Sequence, residues 1–230
     1  EVLDHYTVEF DSIRSFGTYG SVIDPAKDYK REIEVTFNSE WARHNNVKRT
    51  YTEYGFDKGK LPLDLYGSMS AFYYNNDKFR VHEEWGPGKK GVFVNWWEAD
   101  VYMVQMPGEL KKKWQAGLKA LVEAWSGAEL ELSDIYGMRR YEDGARLLTH
   151  VDREQTHALS LIVNIAQADM RKPWKVDIYD HENRLHEIAM DPGEIVYYES
   201  ARCLHARTNP LEGAYYVNLF AHYRPLNEES

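Results

Sequence analysis

The segment of this sequence best suited to chemistry is Thr149-His150-Val151-Asp152. It follows a strand-like stretch, and in an extended chain residues i and i+2 point to the same face. His150 and Asp152 therefore both turn inward, offering one imidazole and one carboxylate. A second imidazole, His205, follows the strand-like run Ile195–Glu199. Two histidines and a carboxylate on one face of a metal are the donor set that holds Fe(II) and leaves positions open for a co-substrate and O2. A closed zinc site would want four ligands, usually with cysteine, and the chain has one cysteine, Cys203. A His-x-carboxylate also occurs at His82-Glu83-Glu84, which reads as a surface loop. What sets His150, Asp152 and His205 apart is their order: His-x-Asp, intervening strands, a Pro-Gly turn, another strand, then His.

These residues need a scaffold of strands. Ile135–Tyr141 and Ala158–Ile165 read as two of them. Trp174–Tyr179 and Leu185–Met190 flank the polar turn Asp180-His181-Glu182-Asn183-Arg184, which predicts a hairpin. Pro192-Gly193 is a tight turn before Ile195–Glu199, and Tyr215–Tyr223 is the last strand. Upstream, Leu110, Trp114, Leu118, Leu121, Val122 and Trp125 recur at spacings of three and four. They predict a helix over residues 107–126, with Pro107 in its first turn and Gly127 as C-cap. Residues 1–106 hold short β-like runs at Ile33–Phe37, Phe72–Tyr74 and Val92–Trp97, with turn-rich loops at Gly55–Pro62 and Gly86–Gly91. The fold class that follows is mainly β with supporting helices, on a double-stranded β-helix (jelly-roll) core. Residues 1–230 are expected to form a single catalytic domain. Residues 1–133 would be a helix and aromatic-rich lid and support region, and 134–225 the jelly-roll core with the metal site.

A chain of 230 residues is long enough for one domain with a full core. Its formal net charge of −9 argues against a nucleic-acid partner, which would call for a basic surface. The one basic run, Lys111-Lys112-Lys113, opens the helical pattern and reads as a solvated face. No apolar run is long enough to span a membrane. A single cysteine permits no internal disulfide and fixes no compartment. The chain opens at Glu1 without a methionine. The expectation is a soluble domain, cytoplasmic, or in the ER lumen if a signal or anchor precedes it. Oligomeric state is not legible.

With the metal residues and strand order in hand, the sequence resembles the prolyl 4-hydroxylase-like branch of the Fe(II)/2-oxoglutarate dioxygenases, over roughly Tyr136 to Pro225. Tyr141-Glu-Asp-Gly144 followed by His150-Val-Asp152 is similar to that branch's Tyr…Gly…His-x-Asp segment. Asp191-Pro-Gly-Glu-Ile-Val-Tyr-Tyr198 and Leu204-His205 resemble its turn, strand and distal histidine. Leu211-Glu-Gly213-Ala-Tyr-Tyr-Val-Asn218 resembles the strand that carries the co-substrate anchor. The resemblance implies Fe(II), 2-oxoglutarate and O2 as cofactor and co-substrates. It also implies that Tyr141 bonds 2-oxoglutarate. One position departs from the pattern: where animal and plant prolyl hydroxylases carry a lysine, this chain has Tyr215. A buried carboxylate without a cation costs several kcal/mol, so a tyrosine hydroxyl is a poor replacement on its own. Arg207, two residues past His205, is expected to supply the fork, with Tyr215 as a further hydrogen-bonding partner. Arg139, Arg140, Arg146 and Arg224 are rival cations, and Arg153 is placed to meet substrate.

The implied substrate is a prolyl or other residue of a peptide or protein, hydroxylated at an aliphatic carbon. Rings between Tyr54 and Trp97 would serve as lids or as packing. A free amino acid or other small molecule is the alternative. Asp152 favours hydroxylation, since related halogenases lack the carboxylate. Two other classes stay open: a jelly-roll metal enzyme that does not use 2-oxoglutarate, and a binding module without catalysis.

Overall fold

The computed structural model describes residues 30–83 and 99–226. Twelve strands are described. The larger sheet is assembled from β1 (Phe56–Lys60), β2 (Val81–His82), β3 (Val101–Val104), β4 (Leu130–Ile135), β5 (Met138–Glu142), β7 (Leu159–Ala168), β10 (Glu194–Tyr198) and β12 (Tyr215–Pro225). Their order is β1-β10-β7-β12-β5-β3-β2, with β4 also on β12. The smaller sheet runs β6-β11-β8-β9, from β6 (Leu147–His150), β8 (Val176–Tyr179), β9 (Leu185–Ile188) and β11 (His205–Arg207). Every pairing is antiparallel. The protein is mainly β, two sheets with helices against them, as the strand-and-turn pattern predicts.

The central strands β7 and β12 are buried on both faces, so they carry apolar residues almost continuously. Their two faces differ. On β12, Val217, Leu219, Ala221 and Tyr223 join the outer core, while Tyr216 and Phe220 join the inner one. The outer core is roofed by two helices, α2 (Leu63–Asn76) and α3 (Gly108–Ser126). Met69 and Tyr73 come from α2, and Trp114, Leu118 and Val122 from α3. Trp114 is fully buried, and its indole donates to Ser68 Oγ at 3.1 Å, tying α3 to α2. Helix α3 ends at Gly127, whose φ of 69° is the left-handed C-cap geometry that glycine adopts without strain. Pro107 is the N-cap residue, one position before the first turn. The lysine run on α3 is solvated: Lys111 reaches Asp134 at 3.7 Å and Lys112 reaches Glu109 at 3.0 Å. A further helix, α1 (Lys30–Asn46), sets Trp41 against Val151, Tyr179 and Leu204. No described helix is long and apolar enough to cross a membrane.

Several local expectations are corrected. Ile33–Phe37 lies inside α1 and Phe72–Tyr74 inside α2. Three to five apolar residues are too few to separate a strand from one turn of helix. In α2 the helical period shows in burial: Met69 and Tyr73, four apart, are buried, and Tyr74 is exposed. Gly55–Pro62 is not a loop throughout, because Phe56–Lys60 forms β1. Ile135–Tyr141 is two strands, broken at Tyr136-Gly137. A Cβ on Gly137 would come within 2.7 Å of the Val104 carbonyl. Val92–Trp97, Gly86–Gly91, Glu84 and the tail from Asn227 lie outside the described residues.

The 180–184 turn joins β8 to β9 as expected. Asp180 organises it. Its carboxylate accepts from the Glu182 and Arg184 backbone amides at 2.9 Å each, from Arg184 Nε at 2.9 Å and from His186 Nε2 at 2.8 Å. Burial alone would raise its pKa, but these donors hold it well below the ordinary 3.8. A depressed carboxyl stabilises the fold above its unfolded value and loses that contribution only as pH falls through the native one. Asp180→Asn is expected to cost about 1–3 kcal/mol at neutral pH, read by urea unfolding, with the difference narrowing only in strong acid. An unchanged urea midpoint at pH 7 would remove this role.

Candidate metal centre

The first ligand strand, β6, ends at His150, and the second, β11, begins at His205. The two strands are neighbours in the smaller sheet, with His150 and His205 directly opposite each other. Register therefore makes neighbours of two histidines far apart in sequence, and their ring centroids stand 4.2 Å apart. Asp152 follows two residues after His150, and its backbone N–H donates to Ser200 O at 2.8 Å. The ligand atoms of His150, Asp152 and His205 all lie within 4.8 Å of one another.

Each imidazole is oriented by a carbonyl two residues earlier in the chain. His150 Nδ1 meets Leu148 O at 2.7 Å, and His205 Nδ1 meets Cys203 O at 2.9 Å. A carbonyl only accepts, so Nδ1 carries the proton in both rings and Nε2 presents its lone pair to the shared space. Burial, joined by the neighbouring His205 ring, pushes the His150 pKa well below its ordinary value. Burial likewise pushes His205 down to about 4. Both rings are neutral at neutral pH, the form a metal needs. Burial raises Asp152 to about 6, opposed by the His157 imidazole. Asp152 Oδ2 is buried and accepts no hydrogen bond. Two neutral nitrogen donors facing an unsatisfied carboxylate oxygen fit a divalent cation with open positions.

Two buried carboxylates hold the chain around the site. Glu40 on α1 accepts from the Val151 backbone N–H at 3.0 Å and from Arg43 at 2.8 Å, fixing the loop between His150 and Asp152. Glu199 accepts from Tyr51 N at 3.1 Å and from Thr52 N and Oγ1 at 2.8 Å each. Its carbonyl accepts from Cys203 N at 2.7 Å, closing the turn that delivers His205.

The three ligands line a cavity of about 350 Å³ between the two sheets. Arg207 lines it too, buried and stacked 4.1 Å over Trp174 and 4.8 Å over Tyr216. Arg207 Nη1 donates to Trp174 O at 2.6 Å and Nη2 to Asn218 Oδ1 at 3.1 Å. Tyr141 is on the same wall, edge-on to Trp174 at 5.0 Å. Tyr215 is not in the cavity, and its expected part in co-substrate binding is corrected. Along β12 side chains alternate, so Tyr216 turns inward and Tyr215 outward. Tyr215 stacks under Arg140 at 4.0 Å and packs near Tyr73. Arg140 is on that outer face with Asp77 and Glu142. Arg224 pairs with Glu131 at the surface, Arg146 is buried away from the cavity lining, and Arg153 is exposed. Of the rival cations only Arg139 lines the cavity.

Sequence reasoning missed Glu83, Tyr136, His157, Tyr198, Phe220 and His222 on the cavity wall. His222 Nδ1 stands 2.7 Å from Ser160 Oγ and 3.6 Å from Asp152 Oδ2, and its ring lies 4.0 Å from that of His157. Tyr136 OH meets His157 Nε2 at 3.1 Å. A signal for the β12 residues was present: Asn218 and His222 are polar at alternate positions between apolar residues, the mark of a strand with one face on a polar cavity. His82 does sit at the surface, paired with Asp100 at 3.1 Å. Its neighbour Glu83 reaches inward instead.

Comparison with known proteins adds the fold. No family model and no curated sequence matches the chain. Solved structures do. A prolyl-4-hydroxylase from Pseudomonas putida aligns over 80% of this chain and 97% of its own, at 16% identity and a TM-score of 0.55. The Trichoplax adhaerens prolyl hydroxylase, in complex with a hypoxia-inducible-factor peptide fragment, covers 88% and 96% at 11% identity and a TM-score of 0.55. HygX from Streptomyces hygroscopicus, with nickel, 2-oxoglutarate and hygromycin B bound, covers 76% and 84% at 12% identity and a TM-score of 0.53. The chain has the fold of the 2-oxoglutarate-dependent iron oxygenases. That fold agrees with the jelly roll expected from the strand order.

Proposed function

We propose that the chain is an Fe(II)- and 2-oxoglutarate-dependent dioxygenase that hydroxylates an aliphatic carbon. The observation that carries this reading is one cavity holding two unprotonated Nε2 atoms, the Asp152 carboxylate and a buried arginine. His150, Asp152 and His205 would hold the metal on one face. With Fe(II) bound, 2-oxoglutarate and O2 are converted to succinate and CO2 as one oxygen atom enters a C–H bond of the substrate. The chain's own part is to bind, orient and keep dry. Arg207, braced by Trp174, Tyr216 and Asn218, receives the far carboxylate of 2-oxoglutarate in a fork that a lysine could not reproduce. Tyr141 on the same wall donates to that co-substrate. Ile162, Val176 and Phe220 supply apolar walls that exclude water. Asp152 fills the third ligand position, which favours hydroxylation over halide transfer.

The reacting unit we propose is a prolyl ring or a residue of similar size. A peptide substrate is favoured by the fold shared with prolyl hydroxylases, one of them in complex with a peptide. A small molecule is favoured by the Glu83–Arg139 ion pair on the cavity wall. The test is an anaerobic titration with Fe(II) and then 2-oxoglutarate, followed by visible absorption. A charge-transfer band that requires both components, and is absent from His150→Ala, is expected. Iron binding without any band on adding 2-oxoglutarate would replace this reading with a metal enzyme of another class. Failure to bind iron would leave a binding module.

A further inference from the structure

Glu83 and Arg139 form an ion pair on the wall of the metal cavity. Arg139 Nε donates to Glu83 Oε2 and Nη2 to Oε1, both at 2.7 Å, so the pair is bidentate. Each side chain is 15% exposed. Glu83 follows β2 and crosses over β3 to reach β5. Arg139 and Tyr141 share one face of β5, about 7 Å apart along the strand, so the pair stands one row along from the co-substrate wall. Phe220 lies under the guanidinium at 5.6 Å. As a clasp for the sheet edge the pair is costly, because two partly desolvated charges hold strands no better than an apolar contact would. Its position on the cavity wall calls for a ligand.

We infer that Arg139 and Glu83 read the substrate, and that the substrate is a zwitterion with an ammonium and a carboxylate on the same carbon, as in a free α-amino acid. The inference rests on the oxygenase reading above. The charged groups among the described lining residues are two guanidiniums, Arg139 and Arg207, and two carboxylates, Glu83 and Asp152. A divalent metal and dianionic 2-oxoglutarate cancel each other. Counted over these described residues, the loaded cavity is neutral, and a substrate with a net charge would leave that charge unmatched in a dry space. A zwitterion adds none. Its ammonium meets Glu83 and its carboxylate meets Arg139, whose five N–H donors allow a second carboxylate without breaking the existing fork. A capped peptide unit offers only neutral dipoles, and it would strip water from both charges with nothing charged in return. Anchored by its backbone charges, an amino acid extends its side chain into the space that the metal ligands also line.

The experiment is calorimetry under nitrogen on the full chain loaded with Fe(II) and 2-oxoglutarate. The probes are the common free L-amino acids, proline among them, and the N-acetyl amides of the same residues. At least one free amino acid is expected to bind, with its capped form weaker by about tenfold or more. Glu83→Gln and Arg139→Gln are each expected to weaken that amino acid by a similar factor, with the keto-acid chelate band still present. Glu83→Gln keeps a hydrogen bond to the guanidinium and carries the test if Arg139→Gln fails to fold. Equal binding of free and capped forms, no binding of any amino acid by protein that shows the band, or unchanged affinity in Glu83→Gln would each overturn the inference. Loss of the band in the unsubstituted protein would instead strike the oxygenase reading, and the spectrum reports it separately.

Discussion

His205→Ala is expected to remain folded and to lose metal-dependent turnover to the limit of detection, and His150→Ala likewise. The two rings are a cross-strand pair, each turned by a hydrogen bond from Nδ1 to a carbonyl two residues earlier in the chain. Removing either leaves one nitrogen and one carboxylate oxygen, too few protein donors to hold a divalent ion against water with a fixed open face. The fold should survive. β6, β8 and β11 are joined by backbone pairing, and each ring gives the protein a single hydrogen bond, so truncation costs about 1–3 kcal/mol. Metal content after dialysis and circular dichroism of the same sample separate the two effects. Bound iron and wild-type turnover in either variant would sink the metal assignment. The same truncation at His222, a wall residue and not a ligand in this reading, should leave metal content in place.

How far these features were legible differs from residue to residue. His150 and Asp152 share a face by local parity alone, which any extended segment imposes. That His205 joins them depends on the register of β6 against β11, a long-range property that spacing only hints at. Tyr215 stands where the resemblance puts the family's lysine, but strand parity turns it outward: the inward residues of β12 are Tyr216, Asn218, Phe220 and His222. Buried polar residues between Val217, Leu219 and Ala221 mark the cavity side. Phe56–Lys60 reads as part of a turn-rich loop because an edge strand rich in lysine and glycine is held by its backbone, in register with Tyr198 to Glu194, and leaves no apolar alternation to read. Glu83 was harder still. Its partner lies two strands away, and no local pattern around His82 announces that the next side chain turns into a cavity.

Arg207 is where the co-substrate proposal meets its sharpest test. Arg207→Ala is expected to raise the 2-oxoglutarate requirement by about two orders of magnitude, since two charge-assisted bonds worth about 1.5–3 kcal/mol each are lost. Iron affinity should change little, because Arg207 is not a ligand. Arg207→Lys keeps the charge and separates electrostatics from shape. The guanidinium lies flat over Trp174 at 4.1 Å and is pinned by the Trp174 carbonyl and Asn218. An ammonium on a flexible stem makes neither the fork nor the stack, so lysine should recover only part of the loss. Tyr215 faces the outer side under Arg140 and offers the co-substrate no bond. The measurement is the concentration of 2-oxoglutarate that half-saturates the chelate band, wild type against both variants, with iron held in excess. If that concentration is unchanged in Arg207→Ala, the far carboxylate must sit elsewhere. Arg139, the only other arginine among the described lining residues, would then be the anchor, and its pairing with Glu83 would belong to the co-substrate instead of the substrate.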